Sequence, residues 1–215
     1  MNKIIGVYGA SGFGREVVPV VRNIYSDEYE IVFIDDAAKV SELNGVKVCR
    51  YESFLETTHT EKKVVIAIAD SKVREKISVK LENDEIEQVN IVASNSVIMD
   101  SNEIGEGFIL CPFTTITSNT KIGKSFHANL YSYIAHDCVI GDFVTFAPSV
   151  KCNGNIHIED HAYIGTGAVI KQGTPDKPIV IGQGAVVGMG AVVTKSVKAG
   201  DVVFGNPAKS IKRGA

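Results

Sequence analysis

VASNSV IMDSNE IGEGFI LCPFTT ITSNTK IGKSFH ANLYSY IAHDCV IGDFVT FAPSVK CNGNIH IEDHAY IGTGAV IKQG, the stretch from Val92 to Gly173, is written in sixes because its chemistry repeats in sixes. Each group opens on an apolar residue: Val92, Ile98, Ile104, Leu110, Ile116, Ile122, Ala128, Ile134, Ile140, Phe146, Cys152, Ile158, Ile164 and Ile170. Apolar residues make up 45% of the chain, so an unbroken run at one phase marks a repeat architecture. A helix would return an apolar residue every three or four positions and a half-buried strand every second, so neither explains it. The position four further on is often small or apolar, as at Ser96, Thr114, Thr120, Ser132, Cys138, Val144, Val150, Ala162 and Ala168; Phe108 and Phe126 depart from this. A short strand with one large and one small inward residue, followed by a turn rich in Gly, Asn and Asp, is one side of a parallel β-helix. Three such sides make a coil of roughly eighteen residues, which stacks Gly154 on His136 and Asn155 on Asp137.

The rhythm breaks between Ile170 and Ile181, where Thr174-Pro175-Asp176-Lys177-Pro178 reads as a polar loop thrown out of the coil. It then resumes at Ile181, Val187, Val193 and Ala199.

The 215 residues allow one large domain or two small ones. A formal charge of −3 gives no basic surface for nucleic acid. The opening MNKIIGVYGASGFG breaks into glycines too early for a signal peptide, and no stretch approaches membrane-spanning length. A cytoplasmic location is expected. Cys49, Cys111, Cys138 and Cys152 show neither C-x-x-C pairing nor disulfide density. The phase of the repeat places Cys138 and Cys152 inward, as buried thiols.

Residues 1–88 alternate strands and helices: strands at Ile4–Tyr8, Ile31–Ile34, Val46–Cys49 and Val64–Ala69, and helices after the first glycine turn, around Tyr51–Thr57 and from Ser71 to Leu81. This predicts a small α/β sheet with the loops after its strands gathered at one edge. The turn Gly9-Ala10-Ser11-Gly12-Phe13-Gly14 is not the dinucleotide fingerprint, though Asp35 lies near where a ribose-binding acid would sit. Bare N–H groups at a helix N-terminus suit a diphosphate, and carboxylates at the next strand end accept from ribose or base. The alternative is a tight turn with solvated acids. No Walker lysine supports ATP hydrolysis, and a coil in place of a substrate domain argues against an NAD dehydrogenase.

Five histidines are present: His59, His127, His136, His157 and His161. His136 has Asp137 beside it and a glycine in the rung above. That pattern leaves a space beside the imidazole for a reacting thioester, with a backbone N–H pointing into it as oxyanion donor. Otherwise Gly154 merely serves a turn in Asn153-Gly154-Asn155. His157 and His161 are four apart, but a β-coil does not put such a pair on one face, so no metal site is expected.

The glycine turn, Phe33-Ile34-Asp35-Asp36, the hexapeptide coil, Ala135-His136-Asp137-Cys138-Val139-Ile140-Gly141, Lys151-Cys152-Asn153-Gly154-Asn155 and Gly205-Asn206-Pro207-Ala208-Lys209 together resemble bacterial sugar acetyltransferases. These are the sialic-acid O-acetyltransferase and nucleotide-4-amino-sugar N-acetyltransferase group. The resemblance implies a Rossmann-like nucleotide-sugar-binding domain over 1–88 and a left-handed parallel β-helix acetyltransferase domain over 89–215. It also implies a homotrimer with active sites between chains and acetyl-CoA as co-substrate. By it, His136 is the general base and Asp137 raises its basicity, a pairing that requires a coil corner because strand neighbours face opposite ways. Thr145, Gly154 and Thr166 match the acetyl-CoA contacts. Ser11, Gly12, Phe13, Asp35, Asp36 and Ala69 match the nucleotide-sugar contacts. Thr145 and Phe13 stand where some relatives carry histidine, and Ala69 where a glycine is common.

The reaction so implied is direct N-acetylation of a UDP- or dTDP-linked 4-amino-4,6-dideoxy sugar for surface polysaccharide or glycan synthesis. O-acetylation of a free sugar such as sialic acid, and a non-catalytic trimeric nucleotide-sugar-binding scaffold, are the alternatives.

Overall fold

The computed structural model describes residues 2–211, and residues 1 and 212–215 lie outside the described part. The chain divides into two compact units, Met1–Ile91 and Val92–Ala215. Among the described residues no helix is long and apolar enough to cross a membrane.

The first unit runs β1 (Lys3–Tyr8), α1 (Gly12–Tyr25), β2 (Tyr29–Ile34), β3 (Glu42–Leu43), β4 (Val46–Cys49), α2 (Tyr51–Leu55), β5 (Glu61–Ile66), α3 (Ser71–Asn83) and β6 (Glu87–Gln88), in sheet order β3-β4-β2-β1-β5-β6. Strand β1 pairs in parallel with β2 and with β5. A parallel sheet covered on both faces needs continuous apolar runs. Accordingly Ile4, Ile5, Val7, Val32, Phe33, Ile34, Val64, Val65 and Ile66 are all buried. Strand β3 is not among the expected strands, although its signal is present: Asn44 and Gly45 take φ of 52° and 73°, the Asn-Gly hairpin turn that folds β3 antiparallel onto β4.

The chain leaves β1 through α1 to β2 on one side, while β5 takes the other, so the winding reverses between β1 and β5. The loops after these two strands meet there: a Cβ on Gly9 would come within 2.9 Å of the Ala67 carbonyl oxygen. Helix α3 is capped by Asp70, whose Oδ1 accepts from the N–H groups of Lys72 and Val73 at 2.9 and 3.0 Å.

The second unit is a left-handed parallel β-helix with three sides. One stacks Ile109–Leu110, His127–Ala128, Thr145–Phe146 and Tyr163–Ile164; the next Thr115–Ile116, Tyr133–Ile134, Lys151–Cys152 and Val169–Ile170; the third Lys121–Ile122, Val139–Ile140 and Ile156–Ile158. Every sixth residue from Leu110 to Ile170 points inward and is buried; each large aliphatic side chain so placed contributes about 1.5–3 kcal/mol. Ile98, in the first coil, is 40% exposed because no rung covers it from below.

Phe126, unusually large for its position, is fully buried and meets Phe146 edge-on at 5.2 Å. Ala128, unusually small for its own, leaves the volume. The corners are left-handed: Phe113, Asn119, Ser125, Tyr131, Asp137, Phe143, Ser149, Asn155 and His161 all have φ between 52° and 64°.

Past the polar loop the register resumes at Ile156↔Ile179 and Ile158↔Ile181. The loop closes on itself, Thr174 and Lys177 exchanging N–H···O bonds of 3.1 and 3.0 Å. The final step of the ladder differs from expectation. Ala199 is exposed, and Val197 is the residue buried in the interior. The segment after Val193 is shorter, so Val197 bridges to Ile181 and Ala199 falls in the following turn.

Candidate active site

His136 and Asp137 occupy the corner between the second and third sides. Asp137 has φ of 59°, and this turn swings its side chain back beside its neighbour. His136 Nδ1 lies 2.7 Å from Asp137 Oδ2. The carboxylate only accepts, so Nδ1 carries the proton and Nε2 presents its lone pair. Both side chains are 49% exposed, open to a substrate.

Asn155 N donates to His136 O at 3.0 Å, fixing the stack of one corner on the next. A Cβ on Gly154 would meet His136 Cε1 and Nε2 at 2.6 Å and Nδ1 at 3.0 Å. The space created by the missing side chain is therefore taken by the imidazole itself. Nor does the turn need this glycine, since the left-handed residue is Asn155. Glycine is required at 154 to seat the ring.

The Asn153–Gly154 segment is fixed from three directions. Asn153 Oδ1 accepts from Tyr133 OH at 2.8 Å, Asn153 Nδ2 donates to Ile170 O at 2.7 Å, and Cys138 Sγ donates to Asn153 O at 3.2 Å. Cys138 and Cys152 are both fully buried free thiols. Contact with Cys138 and complete burial push the Cys152 thiol up, which removes it as a nucleophile. The polar loop springs from the rung above: Gly173 N donates to Gly154 O and Ile179 N to Asn155 O, at 3.0 and 3.3 Å.

The other two positions assigned to acetyl-CoA lie elsewhere on the coil. Thr145 is buried on the first side, and Thr166 is exposed at the corner between the first and second sides. The remaining coil histidines do not converge: His127 is buried on the first side, His157 is exposed on the third, and His161 stacks on Phe143 at 5.3 Å. No group of three or more metal-ligating side chains occurs among the described residues.

In the first unit, two glycines of the turn serve the fold and one does not. Gly9 has φ of 108°, and a Cβ on Gly14 would lie 1.8 Å from Gly9 O. A Cβ on Gly12 would meet nothing within 4 Å, so its surface is open. Ser11 is the N-cap of α1 with its side chain making no cap hydrogen bond, and Phe13 is half-buried in the first turn. Asp35 Oδ2 accepts from Ala10 N at 3.1 Å, tying the turn to the end of β2, and Oδ1 accepts from Ala37 N at 3.0 Å. Asp36 accepts from Tyr8 OH at 2.6 Å and Tyr51 N at 2.9 Å. Both acids thus serve the protein first, each oxygen keeping a lone pair for a ligand.

Ala69 is exposed after β5. Its carbonyl and that of Ile68 accept from Arg74 Nη1 at 3.2 and 2.7 Å. Arg74 is wholly buried, a pinning residue that the sequence reading passes over.

Known proteins share this architecture. The PglD N-terminal domain family matches residues 4–81. GDP-perosamine N-acetyltransferase of Escherichia coli O157:H7 is 49% identical over 98% of this chain and 97% of its own. The structure of WeeI from Acinetobacter baumannii AYE superposes with a TM-score of 0.95 at 62% identity, covering 97% of this chain and 100% of that one. The acetyltransferase domain of PglB from Neisseria gonorrhoeae FA1090, solved with acetyl coenzyme A, gives 0.87 at 25% identity over 98% and 100%.

Proposed function

The chain belongs to the bacterial sugar acetyltransferase family that includes GDP-perosamine N-acetyltransferase, and from that premise we propose His136 as the base of its reaction. The enzyme transfers the acetyl group of acetyl-CoA to the amine of a nucleotide-linked sugar. The observation that carries our assignment is the ring of His136, held by Asp137 at 2.7 Å and seated against Gly154.

The acceptor nitrogen attacks the thioester carbon while Nε2 takes the amine proton. The carbonyl oxygen becomes an oxyanion, to which the Gly154 N–H donates. The intermediate collapses by breaking the C–S bond, and the CoA thiolate leaves, taking back the proton held on His136 Nε2. Asp137 steadies the imidazolium through Nδ1.

The nucleoside diphosphate rests on Ser11, Gly12 and Phe13 at the N-terminus of α1, with Asp35, Asp36 and Ala69 alongside. The open surface over Gly12 supports this reading. The sugar is a 4-amino-4,6-dideoxy hexose; the 49% identical relative favours GDP as its carrier, in place of the UDP or dTDP expected from the resemblance. The active assembly is a cytoplasmic homotrimer. Acetyl-CoA lies between two coils of that assembly, with Gly154 beside its thioester and Thr145 and Thr166 as the further contacts that the family resemblance implies.

Steady-state CoA release with UDP-, dTDP- and GDP-linked 4-amino sugars tests the assignment. Turnover with one nucleotide class is expected. CoA release with the free amino sugar at equal efficiency would contradict the nucleotide site.

A further inference from the structure

The coil interior carries a device that repeats. A small inward side chain donates to a main-chain carbonyl fifteen residues on: Ser96 Oγ to Cys111 O at 3.0 Å, Asn102 Nδ2 to Thr117 O at 2.6 Å, Ser132 Oγ to Ala147 O at 3.0 Å and Cys138 Sγ to Asn153 O at 3.2 Å. Each carbonyl stands just before a corner and turns toward the core. An unpaired buried acceptor is costly, which explains the polar residues at small inward positions.

The next residue in the chain differs from one carbonyl to another. Cys111 and Ala147 precede Pro112 and Pro148, which have no N–H. Asn153 precedes Gly154, whose Cα lies against the His136 ring. A trans peptide holds its C=O and N–H on opposite sides, and this peptide is trans. With the Asn153 carbonyl drawn inward by a thiol, the Gly154 N–H faces outward. Among the described residues that N–H has no hydrogen-bond partner.

We propose that Cys138 is a positioning residue for acetyl transfer: by holding the Asn153 carbonyl it aims the Gly154 N–H at the developing oxyanion. The thiol is fully buried and touches no substrate; it acts through one peptide plane. Cys152 Sγ, 3.9 Å from the same oxygen, is the weaker partner. The proposal rests on the acetyl-transfer reading above, so its test carries a separate control for that reading.

Cys138→Val removes the donor and places there a side chain that the same inward position accepts at Val144 and Val150. Cys138→Ser keeps a donor. Both variants and His136→Asn are compared with the wild-type enzyme by steady-state CoA release, acetyl-CoA titration and thermal melting. Cys138→Val is expected to lose about tenfold in kcat, less than deletion of an oxyanion donor, with acetyl-CoA affinity within about twofold. Cys138→Ser is expected to restore kcat to within about twofold of wild type, and both keep the wild-type pH dependence because the base is untouched.

Wild-type kcat in Cys138→Val alongside an inactive His136→Asn overturns this proposal alone. So does an equal loss in the Val and Ser variants. Wild-type turnover in His136→Asn overturns the acetyl-transfer reading itself. If Cys138→Val does not melt cooperatively, Cys138→Ala replaces it against Cys138→Ser with the same criteria.

Discussion

The imidazole of His136 lies where a side chain on residue 154 would have to be, with Nε2 and Cε1 both 2.6 Å from the position of a Cβ on Gly154. One packing contact thus sets both the proposed general base and the proposed oxyanion donor. The exchange Gly154→Ala introduces the only atoms needed to break it. The ring must shift by an ångström or so, and kcat should fall about a hundredfold. The folded state should survive, because the backbone at 154 does not take a left-handed conformation. Turnover together with a thermal melt checks both halves.

Asp137→Asn replaces an acceptor opposite Nδ1 with a group able to present N–H, which favours the wrong tautomer. The pair is half-exposed, so the loss should be milder than for a buried triad: about a hundredfold in kcat, with KM for acetyl-CoA little changed. Steady-state kinetics measure this directly.

Asp36 joins Tyr8 OH to Tyr51 N across the end of the first unit's sheet. Asp36→Ala leaves both donors unsatisfied and should destabilise the protein by about 1–3 kcal/mol, while Tyr8→Phe should cost only about 1 kcal/mol. Urea unfolding gives the difference. If Asp36 also meets the nucleotide, the KM for the nucleotide sugar rises in Asp36→Ala alone.

Glu61 accepts from Tyr29 OH and faces Lys63 at 3.2 Å and Lys3 at 3.3 Å. The Tyr29 hydroxyl, then the two ammonium groups, hold its carboxyl from the usual 4.5 down to about 2. A carboxyl pKa depressed by folding means that the unfolded chain binds the proton first on acidification. The stability it contributes is therefore full above pH 4.5 and is lost as the pH falls toward about 2. Unfolding midpoints measured across that window should drop less steeply in Glu61→Gln than in the wild-type protein.

The coil is legible in the sequence because inward positions recur at one phase, and one apolar choice at each suffices to bury it. What escapes that reading is compensation between neighbours. Phe126 looks like an error until Ala128 is seen beside it, and Ala199 keeps the period yet lies outside the interior because Val197 arrives early. The left-handed corners at residues such as Phe113 and Tyr131 carry no compositional signal. At the site, the His136–Asp137–Gly154 grouping is readable from stacking alone. The purpose of Gly154 is not, since only coordinates distinguish a glycine that makes a turn from one that seats a ring. Arg74 is silent in sequence because the groups it pins are main-chain carbonyls, which every residue possesses.

The most direct test is His136→Asn, assayed for CoA release with the preferred nucleotide amino sugar and for acetyl-CoA binding by titration. The account predicts kcat lower by about a hundredfold or more, with the acetyl-CoA dissociation constant within about twofold of wild type. Turnover at the wild-type rate by a variant that lacks the imidazole would contradict it.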